Sequence, residues 1–363
     1  MSCPTLSGLA AITYHSSFHP VDMPAYITSF GLITPHDAAN ERLPADLHRQ
    51  RDAILRCIEP DYRQLISPVH LRRMSRILKL GLGAANICLN KAGNITPDAI
   101  LVGTGLACIN ELEMFMQSML DNDGQDLSPI PFINSSHNTV AAQISRLRQN
   151  HSYNNTYCHR GSSFESALND ALMLINGQEA AQVLVGGIDE FSMHYYTLIN
   201  RIHEKCITGE GATFFLLSSQ ANETTIAKLT AVKTFYQPSG DVIQPFLSEN
   251  HLSIHDIDAV FVGVNGNEKD DSLYDGLLNT LSPDTQVAAY KHLCGEYMTN
   301  GGFALSLAAQ ALHDGRLSAS CLIRQGAQRP PEKILIFNHY LRQNYSLMLL
   351  EKHPSPHSLS APQ

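Results

Sequence analysis

The sequence predicts an α/β fold, and two observations carry that prediction. Short runs that are apolar at nearly every position recur along the chain: AILVGTG from Ala99, VLVGG from Val183, AVFVG from Ala259 and ILIF from Ile334. Such runs suit central strands covered on both faces. Between them lie segments of helical periodicity, so strands and helices alternate. Length and composition agree with a large core. The chain has 363 residues, 44% of them hydrophobic, enough for two domains or one large unit. Only 16% are charged, against about 25% in an ordinary soluble domain. That deficit implies much buried surface, some of it against another subunit, and it excludes a disordered chain.

The elements follow in order. The first 24 residues lack periodicity and read as an extension. His15 and His19 stand four apart there, but without carboxylate or Cys companions they are not expected to hold a metal. The first strand is AYITSFGLITP from Ala25. Between Ser163 and Ile175, Phe164, Ala167, Leu168, Ala171, Leu172 and Ile175 form one helical stripe. Gly302 to Leu312 is small or apolar on nearly every side, so this helix is expected to be deeply buried. GEGATFFLLSS places a glycine turn before a strand at Ala212 to Ser218. Two halves result, 25–205 and 206–350, joined near Glu204 to Gly211. The tail 351–363, with three prolines, is expected to be disordered.

Composition narrows the function classes. A net charge of −9 argues against a nucleic-acid partner. The eight cysteines form no C-x-x-C pair and are too sparse for a disulfide framework, which points to a reducing cytoplasm. No secretory signal is evident, and no stretch approaches the roughly 18 apolar residues of a membrane span.

One cysteine has a distinctive setting. Cys158, in NTYCHRG, immediately precedes the Ser163 helix, with His159 and Arg160 beside it. Helix dipole and positive charge both favour a thiolate there, while a buried, inert thiol is the ordinary alternative.

The stretch TYCHRGSSFESALNDALMLINGQEAAQVLVGGIDEFS resembles the nucleophile region of the β-ketoacyl-acyl-carrier-protein synthases of the thiolase superfamily. Thr156, Cys158, Gly161, Gly177, Gly186, Gly187 and Glu190 match that pattern in order and spacing. SPVHLRRMSR, GEGA at Gly209, HDIDAVFVGVNGNEKDD and YKHLCGEYMTNGGFALSLAAQAL resemble further family segments. The likeness runs from about Ala25 to Leu350. It implies a five-layered α/β/α/β/α fold of two similar halves, a dimer, and Cys158 as nucleophile. It implies no cofactor of the protein's own, since the substrate brings phosphopantetheine on an acyl carrier protein.

The pattern also departs from the family. Asn265 stands where the first catalytic histidine is usual, and Glu296 where the second is, although Lys291 and Gly295 of that motif remain. The glycine-rich loop that helps shape the oxyanion hole reads His339-Tyr340-Leu341-Arg342-Gln343-Asn344, keeping only the aromatic position and Asn344. The loss of glycines predicts a bulkier, stiffer loop. Asn265 could still donate to a thioester oxygen but cannot act as acid or base. Glu296, if ionised, would repel a developing enolate; it could instead pair with Lys291 or serve as a base. His339, ahead of His137, His159 and His292, is the candidate to replace a lost histidine. His292, Cys294 and Glu296 form a metal-like triplet for which the resemblance gives no reason. Malonyl decarboxylation is therefore expected to be impaired.

The leading expectation is an acyltransferase that takes acyl groups from carrier protein onto Cys158, in a fatty-acid-like or polyketide/polyene pathway. The alternative is a non-catalytic, chain-length-factor-like partner of an active ketosynthase, favoured by the missing histidines and opposed by the retained Cys158. A scaffold or small-molecule binder on the same fold is a third reading. Homodimer and heterodimer stay open.

Overall fold

The computed structural model describes residues 24–36, 54–202 and 206–353. His15, His19 and Glu204 lie outside the described residues, as does most of the extension and of the tail.

The N-terminal half opens with β1 (Ala25–Ile33) and a short β2 (Ile54–Leu55). Next come α1 (Pro68–Leu71), α2 (Arg76–Lys91) and β3 (Ala99–Gly103). Helices α3 (Ile109–Asp121), α4 (Pro129–Asn134) and α5 (Thr139–Arg148) lead to β4 (Tyr153–Tyr157). Then follow α6 (Ser163–Asn176), β5 (Gln182–Asp189), α7 (Met193–Ile202), β6 (Thr208–Gly209) and β7 (Gly211–Ser218). The C-terminal half runs through β8 (Ala227–Tyr236), α8 (Ile243–Glu249), β9 (Ala259–Val262), α9 (Glu268–Asp271) and α10 (Asp275–Thr280). It closes with β10 (Gln286–Ala289), α11 (Lys291–Cys294), α12 (Gly301–Asp314), β11 (Leu322–Arg324), β12 (Lys333–Tyr340) and β13 (Asn344–Glu351).

Eleven strands form one mixed sheet in the order β11-β10-β9-β12-β13-β8-β1-β7-β5-β3-β4. The order β1-β7-β5-β3-β4 is repeated by β8-β13-β12-β9-β10, with β7 and β13 the antiparallel members of their halves. The halves are therefore similar, as the resemblance implies. They meet where Ala25, Tyr26 and Ile27 pair with Leu229, Lys228 and Ala227. Strand β7 lies between β1 and β5, so the crossing between halves falls between Ser218 and Ala227. This corrects the 205/206 division, which followed the glycine turn rather than the strand pairing. The tail boundary also shifts, because β13 continues to Glu351.

The wholly apolar runs now have a cause. Along β3, Ala99 and Leu101 enter the central core while Ile100 and Val102 enter an outer one. Along β9, Ala259 and Phe261 face inward, and Val260 and Val262 face a third core. Period-two alternation distributes one apolar run between two layers. Helices α2 and α5 cover the first outer face, α6 and α12 fill the centre, and α8 and α10 cover the second outer face. This is the expected five-layer arrangement. Helix α12 is buried almost all round, from Gly301 to Leu312 with the exception of Gln310. At Gly103 the sheet touches α6 backbone to backbone, since a Cβ there would lie 2.4 Å from the Ser163 carbonyl oxygen. No helix among the described residues is long and apolar enough to cross a membrane.

One ion pair ties two of the sequence motifs together. Arg76, at the start of α2, grips Glu210 with both terminal nitrogens, at 2.7 and 2.6 Å. The Glu210 carboxylate has no solvent exposure and also accepts the backbone N–H groups of Cys57 and Phe191. Burial alone would raise this carboxyl, but Arg76 outweighs it and holds it below its ordinary range. Arg76→Ala would strand a buried charge, so a loss of about 3 kcal/mol is expected in urea unfolding. An unchanged midpoint would show the pair to be dispensable.

Candidate active site

Cys158 follows β4 and is exposed. The helix starts at Ser163, as the sequence places it, but not directly after the cysteine. A 3-10 turn at Arg160–Ser162 intervenes, with Arg160 in the left-handed region (φ 53°), and α6 begins only at Ser163. Ser163 Oγ accepts the His159 backbone N–H at 2.9 Å and donates to the Arg160 carbonyl at 2.7 Å, which fixes the turn. The thiol therefore stands clear of the first helical turn, where the dipole acts. Partial burial, together with the Asp189 carboxylate, pushes it up to about 11. Of the two readings of this cysteine, burial and Asp189 favour the thiol over the thiolate.

Tyr340 closes over this turn. It ends β12, is 5% exposed and packs on Gly161, where any Cβ would fall 2.2 Å from its own. Its hydroxyl shares a 2.5 Å hydrogen bond with Tyr195 of α7. The following turn places Leu341 and Arg342 at φ 51° and 56°, a conformation that costs non-glycine residues about 1 kcal/mol each. Arg342 Nε holds Asp270 Oδ1 at 3.2 Å, which helps to keep the turn in place. Asn344 sits opposite Tyr340 across the hairpin, half-buried and also paired with Tyr236 of β8.

Asn265, Glu296 and Lys291 meet, as their motifs suggested, in a buried network. Glu296 Oε2 accepts from Lys291 Nζ at 2.8 Å and from Asn265 Nδ2 at 3.0 Å. Its Oε1 accepts from Asn300 Nδ2 at 2.9 Å. The second Asn265 amide hydrogen goes to Asp270 Oδ2 at 3.0 Å, and its Oδ1 accepts the Asn267 N–H. Lys291, with no exposure, also donates to the His339 carbonyl at 2.8 Å. Asn265 thus has no amide hydrogen left for a thioester oxygen, contrary to the expectation. Glu296 takes the pairing with Lys291 rather than the posture of a free base.

His339 does not replace a catalytic histidine. It is 1% exposed, and its ring stacks on Tyr274 and tilts against Tyr345. Nε2 lies 3.0 Å from the Asp270 carbonyl; a carbonyl only accepts, so Nε2 carries the hydrogen. Nδ1 has no partner. Burial, reinforced by Lys291, pushes the ring down to about 4, so it is neutral at pH 7. His137 and His159 are exposed, and His292 Nε2 lies 2.8 Å from the Ser320 carbonyl. Among the described residues no His, Cys, Asp and Glu group is arranged to hold a metal.

A small apolar cavity of about 50 Å³ lies behind Tyr340, lined among others by Leu106, Tyr195, Ile199, Cys206, Glu296 and Met298; Cys158 does not line it. Sequence reasoning missed Tyr195, Asp270, Asn300 and Arg342. Tyr195 reaches Tyr340 across a separation that no local pattern records, whereas Asp270 lies in the marked segment HDIDAVFVGVNGNEKDD, five residues after Asn265. Asn300, four residues after Glu296, and Arg342, in the altered loop, were within motifs already marked.

Against known proteins, the family described as "Beta-ketoacyl synthase, N-terminal domain" matches residues 49–238, more than half of the chain. The chain belongs to the beta-ketoacyl synthase family. No curated protein sequence matches it. Among solved structures it is similar to "The ishigamide ketosynthase/chain length factor", at 14% identity and TM-score 0.73, covering 92% of this chain and 100% of that one. A beta-ketoacyl synthase from Burkholderia phymatum STM815 is similar at 14% identity and TM-score 0.72, with the same coverage. A type II polyketide ketosynthase in complex with its acyl-carrier protein is similar at 14% identity and TM-score 0.68, covering 91% and 100%. At these identities the likeness establishes the thiolase-like ketosynthase fold.

For a family member, the raised thiol has a measurable consequence. Iodoacetamide labelling of Cys158, followed by peptide mapping, is expected to rise about tenfold per pH unit to beyond pH 10. A plateau below pH 8 would contradict the thiol described above.

Proposed function

We propose that this chain is a non-condensing, chain-length-factor-like subunit that pairs with an active ketosynthase and works on carrier-protein-bound acyl chains in a polyketide-like or fatty-acid-like pathway. One observation carries the reading: Asn265 and Glu296, where the resemblance puts the two catalytic histidines, belong to a polar network whose donors are already committed. Condensation requires donors aimed at the charge that develops on a malonyl thioester. Asn265 spends both amide hydrogens on Asp270 and Glu296, and Glu296 brings the wrong sign of charge. The raised Cys158 thiol and the Tyr340 closure act in the same direction. The similarity to a ketosynthase/chain length factor supports a ketosynthase partner, and the similarity to a ketosynthase bound to acyl-carrier protein supports that second partner. Heterodimer is preferred over homodimer on this reading, and its compartment is the cytoplasm.

Acyl transfer through Cys158 is the second reading, favoured by the exposure of that thiol. It needs only a nucleophile and oxyanion donors.

Two measurements separate them. Malonyl-carrier protein is expected to release no CO₂ above background with this chain alone, and co-expression with a ketosynthase is expected to yield a stable complex. Robust decarboxylation by the isolated chain would sink the subunit reading. Intact mass after mixing with medium-chain acyl-carrier protein is expected to stay unchanged; an acyl adduct that disappears in Cys158→Ala would establish the second reading instead.

A further inference from the structure

Helix α3 reads INELEMFMQSMLD and carries no buried residue. Leu112, Met116, Met119 and Leu120 stand at i, i+4, i+7 and i+8, the spacing of a stripe that normally faces a core. All four are exposed, Leu120 at 72%. Helix α4 has no buried residue either. Its Ile130, Phe132 and Ile133 are exposed as well, Ile133 at 65%. The two helices meet through Phe115 and Phe132, whose rings lie 5.2 Å apart.

Polar groups tie this pair to the body. Asn110 Nδ2 donates to the Phe191 carbonyl at 3.1 Å. Glu113 accepts from Ser192 Oγ at 2.5 Å, and its other oxygen lies 3.0 Å from His194 Nδ1. A helix this short is marginal without apolar packing, yet its apolar stripe faces outward. With Ile130, Phe132 and Ile133, the stripe exposes on the order of 700 Å², against about 800 Å² that a stable interface takes from each partner.

Charge decides what fits this face. From Thr104 to Ser145 the chain has no Lys or Arg but five carboxylates, Glu111, Glu113, Asp121, Asp123 and Asp126. A twofold contact sets one patch against its own copy. A second copy would therefore bring acid to acid with no base to answer it, which costs affinity. A different chain with basic groups around an apolar centre has the complementary balance.

We propose that the outer face of α3 and α4 is the docking surface for a non-identical chain, the ketosynthase partner, which meets it with an apolar face rimmed by Lys or Arg. The inference rests on the subunit reading above. It adds where the partner sits and why a second copy is refused there.

The test co-expresses the full chain with a ketosynthase from the same source and measures the affinity of the purified pair. The double variant Leu120→Glu with Ile133→Glu is expected to weaken the pair on the order of 100-fold. Its Tm is expected to stay unchanged, since both side chains are exposed. The wild-type pair is expected to weaken as NaCl rises from about 0.05 M to about 0.5 M. Undiminished affinity in the double variant would overturn the surface and leave the subunit reading standing; absence of any wild-type complex would sink both. Sedimentation velocity of the chain alone is expected to show a monomer at low salt. A homodimer that the double variant dissolves would assign the face to a second copy and overturn the proposal. Should the double variant fail to fold, Asp121→Lys with Asp123→Lys and Asp126→Lys decides at exposed positions: a loss of about tenfold in affinity is expected, and no loss would overturn the proposal.

Discussion

A lysine with no contact to water sets the terms for this site. An ammonium group removed from solvent persists only where its charge is met and its hydrogens are taken. Lys291 meets both conditions through the Glu296 carboxylate and the His339 carbonyl. Satisfying Glu296 then recruits Asn265 and Asn300, and Asn265 in turn engages Asp270. Asp270 holds Arg342 and so steadies a turn with two left-handed non-glycine residues. Each link satisfies a polar group of the one before it, and the chain ends at the turn that follows Tyr340. Asn265, Glu296 and Lys291 thus belong to one connected polar network rather than standing as separate side chains.

Much of the fold was legible because its signal is local. Runs such as AILVG and AVFV reveal strands covered on both faces, and the alternation of their side chains between cores is the physical basis of that signal. Helix α12 announced its central place through small and apolar residues on every side. The boundary between the halves was less legible. The glycines of GEGA mark a turn, but which strands β7 joins depends on pairing with residues nearly the whole half away. In the site, Lys291, Glu296 and Asn265 were named from motifs, and their union was foreseen only for the first two. The helix start at Ser163 was legible, but the 3-10 turn between it and Cys158 was not, because it rests on Arg160 adopting a positive φ, which its residue type does not advertise. His339 was misplaced for a related reason: sequence position put it near the loop, while Tyr274 and Tyr345 enclose it.

The symmetry of the halves gives the departures a frame. Each half ends its parallel strands with a fourth, antiparallel strand, β7 in one and β13 in the other. The N-terminal half contributes the cysteine turn at the end of β4, and the C-terminal half contributes the network and the hairpin of β12 and β13. They touch at Gly161 and Tyr340, where absence of a side chain on one surface admits a ring from the other. The site is therefore a junction, and its chemistry reflects how tightly that junction is closed.

The pairing of β1 has a consequence for how the chain is made. β1 is the earliest described strand to leave the ribosome, yet its neighbours are β7 and β8. It must wait until the chain beyond Ser218 has been synthesised before either edge is covered. During that interval a nine-residue strand, buried in the finished protein at all but one position, is exposed to water. Such delayed, non-local pairing slows folding and leaves apolar edges open to wrong partners. Vectorial synthesis thus leaves β1 without its sheet neighbours until β7 and β8 have emerged.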